Sequence, residues 1–419
     1  MRRKILMLCV VVCGIAITSC NKSKGFTLSG KFTNIKGTGI AVLEKLSTEE
    51  IDTVPFVDGQ FEINGSVDKP ALYKLTLSTD QDSFWFQQKN ELLYIENTAI
   101  KITGDYNKLY DLDNRNYFSR QRAEIGGGKL NAIYNNYLNK VRPVVKKATE
   151  VSNTILLDTI PVENMSDTYF KEMLKKQVTL NKLQYQRDSI KSNFIINNPA
   201  TQFAYDMVFA TLTDDDSYKA VFDESVAHGN LYSKIMEFPE PELVNQWITL
   251  LKEQDTFTQE QLNVIDFIWN QKKQIAKGAP FIKAQIRDVK GEFVSLEDQL
   301  NKDGYTLIDC WASWCMPCRW FIPHLKQIHQ NYKDKGLKII SISIDNYDKE
   351  REKKAWYNAM KEEDMPWQQF QANKKSSFVE SYGVYSIPNI ILIDASHHIV
   401  ATGVRGLTLD LLLQGIYNE

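Results

Sequence analysis

The chain has 419 residues and carries 50 Lys and Arg against 52 Asp and Glu, a formal net charge of −2. That length suits two or three domains, and the interspersed charge of both signs argues against a nucleic-acid-binding surface. After the N-terminal segment no apolar run is long enough to span a membrane.

The first residues read as an export signal. "MRRK" is a basic leader and Ile5 to Ile17 an apolar run of signal-peptide length, too short for a comfortable transmembrane helix. The segment closes on "ITSC", which resembles the lipobox of bacterial lipoproteins. That resemblance implies removal of residues 1–19 and lipidation of Cys20, with an ordinary secretory signal cut nearby as the alternative. Stable anchoring needs more than one acyl chain, each buried methylene contributing roughly 0.8 kcal/mol. Cys9 and Cys13 leave with the signal, so only Cys310, Cys315 and Cys318 remain as thiols. An exported chain stapled by disulfides would carry more cysteines and spread them along its length.

Residues 26 to about 110 alternate in short runs such as "FTLSGKF", "QFEINGSV" and "AIKITGDY", broken by turn-forming "NIKGTG", "VDGQ" and "VDKP". A small antiparallel sandwich or barrel is expected. Trp85, between Phe84 and Phe86, is read as a core or rim aromatic rather than a binding patch. The segment resembles an N-terminal all-β domain of unknown function that precedes thioredoxin-like domains in bacterial lipoproteins.

From about 115 to 275 the apolar residues fall at helical spacing, as in "EPELVNQWITLLKEQ". A helix is expected to start near Pro199, "GGGKL" at 126–130 reads as a hinge, and His228 as a surface residue. We expect a helical connector without an activity of its own.

"AKGAPFI" opens an α/β region. An opening hairpin in "FIKAQIRDVKGEFVSLED" is followed by the buried strand "YTLIDCWAS". A helix from Cys315 then places Phe321, Leu325, Ile328 and Tyr332 on one face. A second buried strand, "GLKIISISID", precedes an exposed helix, and a closing hairpin from "NIILID" leads to a last helix. Parallel pairing is expected first and an antiparallel pair at the end.

"WASWCMPCRWFIP" carries the chemistry. A zinc site wants a second Cys or His pair, and haem attachment a histidine where Arg319 stands; neither is present. Two thiols at a helix start suit redox exchange. Unpaired N–H groups and the helix dipole stabilise a thiolate there, lowering a thiol pKa from about 8.5 toward 7 or below. Cys315 is then the attacking sulfur, exposed at the turn, and Cys318 the resolving thiol.

The stretch "DCWASWCMPCRWFIP" resembles the active site of the thioredoxin superfamily, in particular its membrane-tethered TlpA- and ResA-like branch, over residues 276–419. The resemblance implies that Asp309 is a buried proton relay for Cys318, that Pro323 kinks the helix, and that "SIPNIILID" is a cis-proline loop. Trp314, Ile387 and Pro388 would then contact the substrate chain. The family usually has an aromatic at Cys310; since strand neighbours face opposite sides, Cys310 is expected to fill the other core as an inert thiol. His324, His329, His397 and His398 have no place in the family's chemistry and are read as facing solvent.

The expected organisation is a signal peptide (1–19), a lipidated tether (20–25), a small all-β domain (26–114), a helical linker domain (115–275) and an α/β thioredoxin-like domain (276–419). The expected activity is exchange of disulfides with envelope proteins, without a cofactor or metal and fed by a membrane electron donor. Strong oxidants of the superfamily hold a histidine between the cysteines. Met316 and Pro317 offer no such donor, which favours the reducing direction. A periplasm-facing protein is expected, anchored in the outer membrane, with the inner as the alternative. A peroxiredoxin-like peroxidase, or a binding lipoprotein with an accessory redox domain, are the competing readings.

Overall fold

The computed structural model describes residues 25–48, 50–79, 88–109, 122–154, 167–213, 239–384 and 386–417. The signal segment, Cys20, the Phe84–Trp85–Phe86 cluster and His228 lie outside the described residues.

Eight strands form the first sheet: β1 (Phe26–Thr33), β2 (Thr38–Lys45), β3 (Ile51–Val57), β4 (Gln60–Gly65), β5 (Ala71–Thr79), β6 (Lys89–Ile95), β7 (Ala99–Asp105) and β8 (Glu124–Gly126). Their order is β6-β5-β2-β3-β4-β1-β7-β8. Alternation sends Leu28, Ile63, Leu75, Leu93, Ile100 and Ile102 into one core. The expected antiparallel sandwich or barrel is corrected in one respect. This is a single mixed sheet, because β7 returns to pair parallel with β1. Alternation marks which face is buried, not which strand lies alongside. The sheet also runs past the boundary expected at 114, since β8 pairs with β7.

The open edge of β6 is covered rather than left bare. Glu91 accepts from Ala123 N at 2.8 Å and from Arg122 Nε at 3.1 Å, while Arg122 Nη2 donates to Leu92 O at 2.7 Å. Bonding of this kind blunts an edge that would otherwise template pairing with another chain. The expected hinge at 126–130 is instead packed. Gly127 has φ +88°, and a Cβ there would sit 2.1 Å from Ala99 O.

Among the described residues five helices follow: α1 (Lys129–Asn153), α2 (Asp167–Asn197), α3 (Gln202–Leu212), α4 (Pro241–Lys252) and α5 (Gln259–Lys272). α3 starts just after Pro199, where Thr201 Oγ1 accepts from Ala204 N. Their shared core includes Tyr134, Tyr137, Phe194, Phe203 and Trp247, together with Leu72 and Tyr94 from the sheet. Asn131 of α1 clamps the backbone of Tyr94, accepting from its N and donating to its O, both at 2.8 Å.

The last region holds β9 (Gln285–Arg287), β10 (Phe293–Ser295), β11 (Tyr305–Trp311), α6 (Met316–Tyr332), β12 (Leu337–Ser343), α7 (Glu350–Glu363), β13 (Gln368–Gln371), α8 (Ser377–Ser381), β14 (Asn389–Ile393), β15 (Ile399–Thr402) and α9 (Leu407–Tyr417). The sheet order is β10-β9-β13-β12-β11-β14-β15. The central pairs β11/β12 and β12/β13 are parallel; β14 pairs antiparallel with both β11 and β15. Leu307 and Ile339 pack on one face with Leu325 and Ile328 of α6 and Leu409 and Leu413 of α9. Ile308 and Cys310 pack on the other with Trp356, Phe378 and Tyr382. Leu411 of α9 also rests against the helical core, joining the last region to the middle one.

Candidate active site

The site lies where β11 gives way to α6. Cys315 is the N-cap of α6, with an extended backbone at φ −87° and ψ 90°. Its Sγ accepts from Cys318 N at 3.2 Å, so one orphan donor of the helix start is aimed at the sulfur that would carry charge. Cys315 and Cys318 are joined as a disulfide with Cα atoms 5.3 Å apart.

Cys315 is not exposed as the sequence suggests. It is 5% exposed and Cys318 2%, in one cluster with Ala312 and Ile322. The N-cap geometry accounts for this, since the side chain folds back on the first turn instead of pointing outward.

A buried carboxylate fixes the turn that delivers Cys315. Asp345, beyond the end of β12, accepts from Ser313 N at 2.7 Å, Ser313 Oγ at 2.8 Å and Ser343 Oγ at 2.7 Å. Sequence reasoning missed this residue. An acid directly after a buried strand, facing a serine before the CxxC, was the only signal available.

Asp309 is 2% exposed on β11. Its Oδ2 accepts from Ser341 Oγ at 2.8 Å, and Trp367 Nε1 donates to that same Oγ at 2.8 Å. Indole N–H can only donate, so Ser341 Oγ accepts from it, and toward the ionised Asp309 carboxylate, which can only accept, the hydroxyl donates its own proton. Burial pushes the Asp309 carboxyl up to about 7, and the Ser341 hydrogen bond pulls the other way. Cys310, next along the strand, is fully buried, but not in a core apart from the disulfide as expected: it belongs to the same apolar cluster as Cys315 and Cys318, and burial holds its thiol well above the usual range.

Trp314 is 54% exposed, with Lys374 Nζ 4.9 Å from its ring centroid. The Ile387–Pro388 bond is cis, and Ile387 packs against the cluster that holds both cysteines. Pro323 lies inside α6.

The reading of four solvent-facing histidines is corrected. His324 Nε2 lies 2.8 Å from Asp410 Oδ1, tying α6 to α9, with both side chains largely buried. His329 packs at 5.6 Å between ring centroids on Trp367, and His397 is half-buried beside Phe281. Only His398 faces solvent. Single polar residues in a helix do not reveal which neighbour covers them. Among the described residues, no group of three or more His, Cys, Asp or Glu side chains could hold a metal ion.

A family model described as thioredoxin-like matches residues 303–399, and one described as a domain of unknown function (DUF4369) matches 26–134. The chain is 28% identical over 135 residues to the thiol-disulfide oxidoreductase ResA of Bacillus thuringiensis subsp. konkukian, covering 32% of this chain and 72% of that one. Among solved structures, the thioredoxin domain of a thiol-disulfide oxidoreductase from Bacteroides vulgatus is 33% identical. The match covers 34% of this chain and 99% of that one, with a TM-score of 0.30. A thiol:disulfide interchange protein from Bacteroides sp. is 32% identical, covering 35% and 93%, again with a TM-score of 0.30.

Fold and site together define a thioredoxin-like domain with a CxxC at the head of its central helix. Through that domain the chain is similar to thiol-disulfide oxidoreductases such as ResA, which supports a thiol-disulfide oxidoreductase.

Proposed function

We propose that the protein is an envelope reductase that exchanges disulfides with protein substrates through Cys315 and Cys318. The disulfide between these residues at the N-terminus of α6 carries the proposal. In the reduced protein the Cys315 thiolate attacks a substrate disulfide, forming a mixed disulfide and releasing one substrate thiolate. Cys318 gives its proton to Asp309 and attacks Cys315 Sγ. The second substrate thiolate leaves and the Cys315–Cys318 bond closes. Asp309 suits the relay because burial has brought it to about 7, near the operating pH.

Trp314, Ile387 and Pro388 receive the substrate chain, which adds alongside the loop as an extended strand. A membrane electron donor returns the two electrons. Lipidated Cys20 holds the protein at the periplasmic side of the outer membrane, with the inner membrane as the alternative site.

Reduction of insulin by the full chain with dithiothreitol tests the activity, and turnover no faster than with dithiothreitol alone would refute it. Equilibration with glutathione tests the direction. The helix end supports the thiolate by only about 0.3 to 2 kcal/mol. A potential well below the about −120 mV of strong oxidants is therefore expected, and one above roughly −150 mV would make the protein an oxidase.

A further inference from the structure

Arg319 follows Cys318 in the first turn of α6. Its Nε donates to Glu363 Oε1 at 2.5 Å and its Nη2 to Glu362 Oε2 at 2.7 Å. From Cys315 to Arg319 the sequence holds no other formally charged side chain, since Met316 and Pro317 are neutral. The one cation built into the head of this helix is therefore bound by two carboxylates.

Glu362 and Glu363 are the last two residues of α7. Adjacent carboxylates at a helix C-terminus repel each other and oppose the negative end of the dipole, so α7 alone gives no reason for them. Stability gives a weak one. The Glu362 side chain is 61% exposed, so its ion pair is well screened by solvent, whereas the Glu363 side chain is 18% exposed. Their geometric effect is specific: both reach across to the turn that carries the disulfide.

We propose that Glu362 and Glu363 act through Arg319 to hold the Cys315–Cys318 couple reducing, by cancelling the cationic field that would otherwise favour the Cys315 thiolate. This rests on Cys315 and Cys318 being the redox pair. In reduction by glutathione, two thiols supply two electrons and two protons and leave as glutathione disulfide, while the Cys315–Cys318 bond breaks. Any charge that stabilises the thiolate product pulls this equilibrium toward the dithiol and raises the potential. Lys374, over the Trp314 ring, adds a second cation nearby and is unchanged in the variants that follow.

The test compares two ways of breaking one bridge in the full chain. Glu362→Gln with Glu363→Gln removes two negative charges and leaves Arg319 unneutralised. Arg319→Gln removes the positive charge and leaves the carboxylates. With glutathione buffers, the double variant is expected to shift the equilibrium constant toward the dithiol by at least about threefold, or about 15 mV. Arg319→Gln is expected to shift it the other way. Thiolate absorbance in a pH titration should show Cys315 ionising at lower pH in the first and higher pH in the second. A purely structural brace would move both variants in the same direction, so any pattern other than shifts of opposite sign overturns the proposal. Should the double variant not fold, Glu362→Gln alone carries the same expectation at smaller amplitude. Insulin turnover is scored separately: opposite shifts in a protein that does not reduce insulin would sustain this inference and sink the proposed reductase.

Discussion

Ser341 donates its hydroxyl to Asp309 across 2.8 Å between neighbouring strands, and both side chains are buried. Trp367 Nε1 donates to the same hydroxyl oxygen, so Ser341 accepts one hydrogen bond while its own proton is offered to the ionised carboxylate. The ionised form of Asp309 thus receives one donor, which partly offsets the burial that raises it to about 7.

Removing the donor should push Asp309 higher. In Ser341→Ala the pH at which turnover depends on Asp309 is expected to move upward, and Ser341→Thr should restore it. Asp309→Asn should slow turnover with only a modest change in potential. A pH–rate profile between about 6 and 9 that is identical in wild type and Asp309→Asn would remove the residue from the mechanism.

The same shift makes a stability statement. Unfolded Asp309 ionises near 3.8 and folded Asp309 near 7. Between these values the folded state binds the extra proton, so stability falls as pH rises through the window and is level above it. Asp309→Asn should therefore gain on wild type from about pH 4 to 7, by a few kcal/mol at most (about 1.4 per unit), and hold that gain above. Urea denaturation across this range would show it. A gap independent of pH would mean that the carboxyl is not raised.

Cys315→Ser should abolish disulfide reduction, whereas Cys318→Ser should react once and accumulate mixed disulfides visible on non-reducing gels. Similar residual turnover in the two would contradict the assigned roles. Cys310→Ser, in the apolar cluster that also holds the redox pair, should leave turnover within about twofold, because burial keeps that thiol protonated, and cost packing of about 1 kcal/mol.

Tyr94 on β6 donates to Asp206 on α3 at 2.9 Å, and Gln202 donates to the other oxygen at 2.8 Å. Burial raises Asp206 to about 7 against both hydrogen bonds. Tyr94→Phe should destabilise the junction of sheet and helices by about 1 to 3 kcal/mol while leaving the potential of the Cys315–Cys318 pair unchanged. A shifted potential would show that the junction communicates with the redox site.

His324→Ala should loosen α9 from α6, because Asp410 then loses its contact in a largely buried place. A stability loss of about 1 to 3 kcal/mol is expected. A variant as stable as wild type would return His324 to the solvent-facing role that its sequence position suggested.

The sequence alone was enough wherever the information is local. Continuous apolar runs mark β11 and β12 as buried strands, and a CxxC at a strand-to-helix turn specifies its own chemistry, since the helix start and the thiols are neighbours in the chain. Only the tertiary structure decided matters of pairing. β13 reads "QQFQ", with no apolar alternation, and is a strand because it lies beside β12, with Phe370 opposite Ile342. The parallel match of β1 with β7 joins segments separated by five other strands. Asp345 on Ser313, His324 on Asp410 and Arg319 on Glu362 and Glu363 follow the same rule. Each is a polar side chain whose partner lies at least 32 residues away. A polar residue's local sequence records that it needs a hydrogen bond, and only the folded chain supplies the group that makes it.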